Sequence, residues 1–539
     1  MKKIFELYDN GKLFNTLVFG VLLIGIWATF FNIDNGFYQD PFHHGEFVAT
    51  LPLVLNGNAN FFTIHGAMDW IPAWIAQYFL GIDRHFLPTM LIYSLMDGLA
   101  SVFLFHTAVL LIHQQNKYRP ILLMLSAALV VTLVGARDVF LIIAFWIFTL
   151  TNSPGSRLER KFLELLLGLA LAFNLFWSFD RGVAGFVGIG FSCLILAVVE
   201  RRHLISIASF VVALLSLHWI GALSFPNYFA NFKFLMETSS QWSYGLMKAP
   251  VILIVLVAIP NVWAIYYLLK QLHFRQKADW GRLSNIFSLI TLTILMFKIG
   301  VNRADGVHVM MALWMPALSL LYLHEKLAVK FNLFFDVSIL ISIVFLANKA
   351  GNPWLYLAVI ALTIYGFQKV FVQHFGHFDY QKLSLVVAIV LLLGGMLRIL
   401  AQYTKDDYQW MLKVASPPIN ATLVGEDVKW VASEFLKAES GCIFDLSNHG
   451  VINGLTGLPA CTKYIYPVYA NKAYEADMLA RLQQHQPPLI VFSSTHWSFS
   501  IDGKSMHERF PTLKNYLLKS YPYEKCRYGY CLRYTHPLN

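Results

Sequence analysis

Charge is scarce in this 539-residue chain: Asp, Glu, Lys and Arg together make up 13% of it, against about 25% in a soluble domain. That shortage excludes a water-solvated surface over most of its length. Cysteine is also rare, with five residues, so a disulfide-dense scaffold is excluded. Neither an internal repeat nor a low-complexity tract is present. The first apolar stretch, Leu13–Phe31, ends in aromatic residues rather than a small-residue cleavage site, so it is expected to stay as a transmembrane helix. Basic residues are in excess, at a formal net charge of +10. They are scattered among short loops, which argues against nucleic acid as a partner and matches the positive-inside pattern of membrane proteins.

What the chain does have is apolar length. It is 57% hydrophobic, with a mean hydropathy of +0.55, and its apolar residues fall into runs near the roughly 17–25 residues that cross a bilayer. About thirteen spans satisfy the basic loops. After Leu13–Phe31 they are Leu87–His113, Pro120–Val134, the short Val139–Leu150, Phe162–Phe179, Gly182–Val199 and Leu204–Leu223. Val251–Leu269, Leu283–Phe297, Val309–Leu323, Phe331–Leu346, Trp354–Val370 and Leu383–Gln402 complete the set. Lys2, Lys3 and Lys12 place the N-terminus in the cytoplasm. Residues 32–86 then lie outside, with Phe47–Leu55 and Met68–Leu80 expected as helices at the membrane interface.

The expected architecture is therefore an α-helical polytopic membrane domain over 1–402 and a small extracytoplasmic α/β domain over 403–539. In the second part, strand-like runs at Cys442–Leu446, Pro488–Ser493 and Tyr528–Tyr534 alternate with helical patterns at Glu426–Ala438, Ala470–Gln484 and Pro511–Leu518. Cys442, Cys461, Cys526 and Cys531 all lie there, which suits an oxidising compartment outside the cytoplasmic membrane. Of the three possible pairings, Cys442 with Cys461 and Cys526 with Cys531 is the simplest. Cys193 falls in an apolar span and reads as a packing residue.

Mixed clusters of acid, base and histidine gather in the outer loops. The densest runs from Asp34 to Glu46, offering Asp34, Asp40 and Glu46 together with His43 and His44. A carboxylate there suits a general base, while Asp40-Pro41 also reads as a helix start. His43-His44 lacks the i, i+4 spacing of helical zinc motifs. Arg303, Asp305 and His308 form a second cluster, with an arginine fork suited to phosphate. Arg137-Asp138 and Asp180-Arg181 read either as local ion pairs or as substrate contacts. His65, Asp69 and Trp70 lie in the same outer segment and read either as sugar contacts or, for the aromatic, as an interface anchor.

The combination resembles the GT-C superfamily of integral-membrane glycosyltransferases, broadly the protein-mannosyltransferase and aminoarabinose-transferase-like group. The resemblance rests on Asp40…His43-His44-Gly45-Glu46 in the first outer loop, on His65-Gly66, and on Arg303, Asp305 and His308. It extends to Asn448-His449-Gly450-Val451-Ile452-Asn453-Gly454-Leu455-Thr456-Gly457 and Pro487–Val491. It implies a polyprenyl-phosphate sugar as donor and a glycan, lipid or protein hydroxyl as acceptor. Asp40 would be the base, with Asp34 and Glu46 as alternatives, and Arg303 would stabilise the phosphate leaving group, helped by Arg137, Arg181 or His308. No cofactor is implied, and dependence on a divalent metal stays open. The rival readings are a flippase or transporter of a lipid-linked sugar, and a polysaccharide polymerase or ligase. Against a transporter, the polar groups gather at one face rather than mid-span. A membrane anchor for a partner-binding domain is a third reading, for which thirteen spans are excessive.

Overall fold

A computed structural model describes residues 41–76 (except 59), 86–111, 134–152, 157–239 (except 225–226), 280–301 and 424–537 (except 471). Isolated positions between 261 and 319 complete it. The expected first and eleventh to thirteenth spans, and most of the third, eighth and tenth, lie outside the described residues. The chain divides into two compact units: residues 1–29, 95–215 and 246–403 in one, and 30–94, 216–245 and 404–539 in the other.

The first unit is helical. Among the described residues, Thr89–Ala108, Phe179–Glu200 and Leu283–Gly300 are long and apolar enough to cross a membrane. The helix Val139–Thr151 has 13 residues and so rises about 20 Å, short of the roughly 30 Å hydrocarbon core. It packs along Arg157–Trp177. The span beginning at Phe179 is one helix with a π-turn at Phe186–Gly190. At that turn the Gly188 carbonyl accepts from Ser192 Oγ at 2.8 Å and Ser288 Oγ at 3.2 Å. The two hydroxyls lie 2.7 Å apart, so the helix Trp280–Val301 supplies polar partners to the bulge. Arg202 donates to the Thr151 carbonyl at 2.9 Å, placing a cation on the negative end of Val139–Thr151. Cys193 is buried and free.

The second unit combines short helices with a three-stranded antiparallel sheet in the order β1-β3-β2. The strands are β1 Leu489–Ser493, β2 Tyr523–Arg527 and β3 Tyr530–Tyr534. Tyr528 and Gly529, at φ 53° and 81°, make the two-residue turn between β2 and β3, as the right-handed twist of a hairpin favours. β2 was not anticipated: all five of its residues are exposed, so no alternation marks it. The expected strand Cys442–Leu446 forms only isolated bridges, Ile443 with Ala460 and Asp445 with Val491. Both disulfides have the simplest pairing, Cys442–Cys461 and Cys526–Cys531.

The helix Glu426–Lys437 buries Val428, Val431, Ala432 and Phe435, one stripe at helical spacing. Its core is shared. Val48, Phe86 and Met90 pack in the same cluster as Val428, Phe435, Ile443, Val451, Leu489 and Leu532. The segment expected at the membrane interface is therefore buried in this unit. Glu46–Ala49 and Leu51–Leu55 are its helices, with Leu51, Pro52, Leu53 and Val54 all buried. The expected helix start at Asp40-Pro41 is displaced: residues 41–45 are turns, and helix begins at Glu46.

Candidate active site

Two constellations emerge, one in each unit. In the first, the two Arg/Asp dipeptides cross-pair. Arg137 donates to Asp180 from Nε at 3.2 Å and Nη2 at 2.5 Å. Arg181 donates from Nε to Asp138 at 2.7 Å and from Nη1 to Asp180 at 2.8 Å. Ser178 Oγ and the Arg181 N–H also donate to Asp180. Asp138 and Arg181 are buried, at 2% and 4% exposure. The loop before Val139–Thr151 is thus bonded to the start of the Phe179 helix. Two guanidinium groups and two carboxylates balance, so the tetrad has no surplus positive charge for an anion.

In the second unit the segment that begins at Pro41 meets the C-terminal region. Glu46 is 6% exposed. Its Oε1 accepts from the Tyr469 hydroxyl at 2.8 Å, and its Oε2 lies 4.0 Å from His65 Nδ1. Burial, with Asp69 adding to it, pushes the Glu46 carboxyl above its ordinary value, against the opposing pull of His65, His43 and Tyr469. Asp69 fixes His65. Its Oδ1 bonds His65 Nδ1 at 2.8 Å, and its Oδ2 accepts the backbone N–H of Ile64 and His65 at 2.9 and 2.8 Å. A carboxylate bonded to Nδ1 selects the tautomer that leaves Nε2 as the acceptor. Glu46, Thr50 and Asp69 line a small open cleft walled by Phe62, Phe234 and three tyrosines.

The loop itself is held by its backbone. The Tyr466 hydroxyl donates to the Phe42 carbonyl at 3.0 Å and accepts the Gly450 N–H at 3.0 Å. Phe42 is fully buried, with Tyr466 at 5.2 Å and Trp497 at 5.0 Å between ring centroids. His43 stacks at a tilt near Trp497 and His44 meets Phe47 edge-on. Gly45 and Gly450 allow this approach. A Cβ on Gly450 would stand 2.5 Å from Tyr466 Oη and 2.7 Å from the Gly45 carbonyl, besides striking the Ala49 methyl.

Behind Gly450 lies a buried polar network. His449 Nδ1 bonds the Tyr530 hydroxyl. His449 Nε2 sits 2.9 Å from both His496 Nδ1 and Ser498 Oγ. Asp445 accepts from the backbone of Ser447 and His449 at 2.7 Å each, and burial raises its carboxyl to about 6 despite those bonds. His496 caps the short helix that begins at Trp497.

Of the residues expected from sequence, Glu46, His43, His44 and His65 thus come together in one unit. Arg137, Asp138, Asp180 and Arg181 come together in the other. Asp34, Asp40, Arg303, Asp305 and His308 lie outside the described residues. Sequence reasoning missed Tyr466 and Tyr469, more than 420 positions from their partners in the first loop. Their only sequence signal is the aromatic run Tyr464–Tyr469. Among the described residues, the one group of three at metal-ligand spacing is Glu524, Cys526 and Cys531, whose sulfurs are already joined.

No family model matches the chain, and no curated protein matches it. Among solved structures, ArnT from Cupriavidus metallidurans in the apo state matches 98% of this chain and 98% of its own, with a TM-score of 0.50 at 11% identity. At that identity the likeness is one of fold, the GT-C fold. ArnT from the same organism bound to undecaprenyl phosphate gives a TM-score of 0.48 at 11% identity, over 97% of this chain and 98% of that one. An oligosaccharyltransferase of Archaeoglobus fulgidus gives 0.38 at 11% identity, over 88% and 69%. The GT-C fold accounts for a polytopic helical chain that carries a small sheet in its C-terminal region.

Proposed function

We propose that this chain is a glycosyltransferase. It moves a sugar from a polyprenyl-phosphate donor to an acceptor hydroxyl at the outer face of the cytoplasmic membrane. The observation that carries this reading is the GT-C fold over 98% of the chain, with the acidic first loop packed against the C-terminal region.

In the proposed reaction the acceptor oxygen attacks the anomeric carbon and gives its proton to a first-loop carboxylate. The bond from that carbon to the phosphate oxygen breaks, and its electron pair leaves with the polyprenyl phosphate. The configuration inverts. Asp40 is the proposed base. The engagement of Glu46 with Tyr469 argues against Glu46 as the base. The developing charge on the phosphate is best met by a cation that is not already neutralised. Arg137 and Arg181 are neutralised by Asp138 and Asp180, which argues against them; Arg303, with His308, is proposed for that role.

The test is native mass spectrometry of wild type and Asp40→Asn purified in detergent, with the bound lipids identified. The expected result is a polyprenyl-phosphate sugar retained by the variant and bare polyprenyl phosphate in wild type. An intact lipid-linked oligosaccharide in both would favour a flippase or ligase. No polyprenyl lipid in either would overturn the donor class.

A further inference from the structure

The first loop has no regular structure between Pro41 and Gly45, yet the Tyr466 hydroxyl holds its backbone at the Phe42 carbonyl, which also accepts the Glu46 N–H at 3.2 Å. That hydroxyl is itself fixed, because it accepts the Gly450 N–H at 3.0 Å. Gly450 in turn belongs to a segment whose polar groups are bonded in depth. Asn448 accepts the Val468 N–H at 3.1 Å and donates to the Ser498 carbonyl at 2.9 Å, and His449 is bonded at both ring nitrogens. Glycine at 45 and 450 permits the contact, since a methyl on Gly45 would stand 2.8 Å from Tyr466 Oη and 3.0 Å from the Gly450 nitrogen. Tyr469, three residues on, holds the Glu46 side chain. Loop backbone and loop carboxylate are therefore set by one short stretch of the C-terminal region.

We infer that Tyr466 is a positioning residue: with Gly450 and Tyr469 it forms a jig that sets the geometry of the first loop for transfer, so the Asn448-His449-Gly450 segment serves the reaction through the loop rather than by touching substrate. The inference rests on the transferase reading above. A group that only positions another sets the reactive arrangement, and misplacement by about 1 Å costs on the order of 100-fold in rate.

The experiment compares full-length Tyr466→Phe with wild type in detergent. The substitution removes one hydroxyl and keeps the ring that packs on Phe42. Amide hydrogen exchange is read for residues 42–49 and, as an internal control, for β1 and β3. Release of polyprenyl phosphate is read with a total lipid extract of the expression host as donor pool and the host's envelope glycan, lipid and protein fraction as acceptor. The expected result is exchange faster by about 10-fold over 42–49, from the lost hydrogen bond, with the strands unchanged. Turnover falls by about 10-fold or more, with half-saturation by the donor pool unchanged within about twofold. Loss of stability alone would lower turnover in the same way, but it would also speed exchange in β1 and β3. Unchanged exchange over 42–49, or release at the wild-type rate, overturns the positioning role. No release by wild type defeats the transferase reading itself, and the catalytic half of the inference falls with it; normal wild-type release with an unaffected variant defeats the jig alone.

Discussion

Gly450→Ala tests the close approach on which the candidate site depends. The added methyl would meet the Ala49 methyl, Tyr466 Oη at 2.5 Å and the Gly45 carbonyl at 2.7 Å. Real Cβ contacts do not come that close, and two of the three obstacles are backbone or a methyl with no rotamer to yield. Overpacking of this kind costs about 1–3 kcal/mol. If the tyrosine hydroxyl is pushed away, its bonds to Phe42 and Gly450 add about 0.5–1.5 kcal/mol each. A loss of about 2 kcal/mol or more is expected, a fall in Tm of roughly 4–8 °C for a folding unit of this size. The assay is thermal unfolding in detergent followed by tryptophan fluorescence, since Trp430 and Trp497 lie in this unit. Gly441→Ala is the control, because nothing lies within 4 Å of its Cβ, and it should stay within about 0.5 kcal/mol. Wild-type stability for Gly450→Ala would refute the packing of the first loop on the C-terminal region. Ala49→Gly in the same chain should recover part of the loss by removing one obstacle.

Further outcomes follow from the same contacts. Asp445 has its carboxyl raised from 3.8 to about 6, so the folded state holds the proton more tightly than the unfolded chain. Its contribution is then greatest below about pH 4, falls by on the order of 3 kcal/mol as pH rises to about 6, and is flat above. Denaturant unfolding across that range should show the slope, and Asp445→Asn should flatten it. Arg181→Met leaves Asp138 buried without its partner and should cost about 3–5 kcal/mol. Arg137→Ala, at a site 28% exposed, should cost about 1 kcal/mol or less; equal losses on comparative thermal melts would contradict the asymmetric burial. Removing the Cys442–Cys461 bridge, which closes 19 residues, should cost about 3 kcal/mol, against about 2 for the five-residue Cys526–Cys531 loop. Paired serine variants in the same melts would check the order.

Sequence by itself determined the membrane character, because a chain with so little charge has no other stable solvent, and it placed the helices Phe86–Leu111 and Val139–Thr151 nearly to their ends, with Trp280–Val301 found about a turn short at each end. It also marked the disulfide pairs and the amphipathic helix at Glu426, since those signals are local: spacing, periodicity and a hairpin turn. Strand β2 escaped because an edge strand exposed throughout shows no alternation. The crossed pairing of Arg137 with Asp180 and of Arg181 with Asp138 was decided by tertiary structure, because two adjacent opposite charges look like self-sufficient pairs until the loops carrying them are brought together. So was the burial of Glu46 and Phe42 beneath Tyr466, Tyr469 and Trp497. Contacts spanning more than 420 residues leave no periodic trace in a single sequence. A glycine that permits one backbone to touch another reads, before folding, like any other glycine.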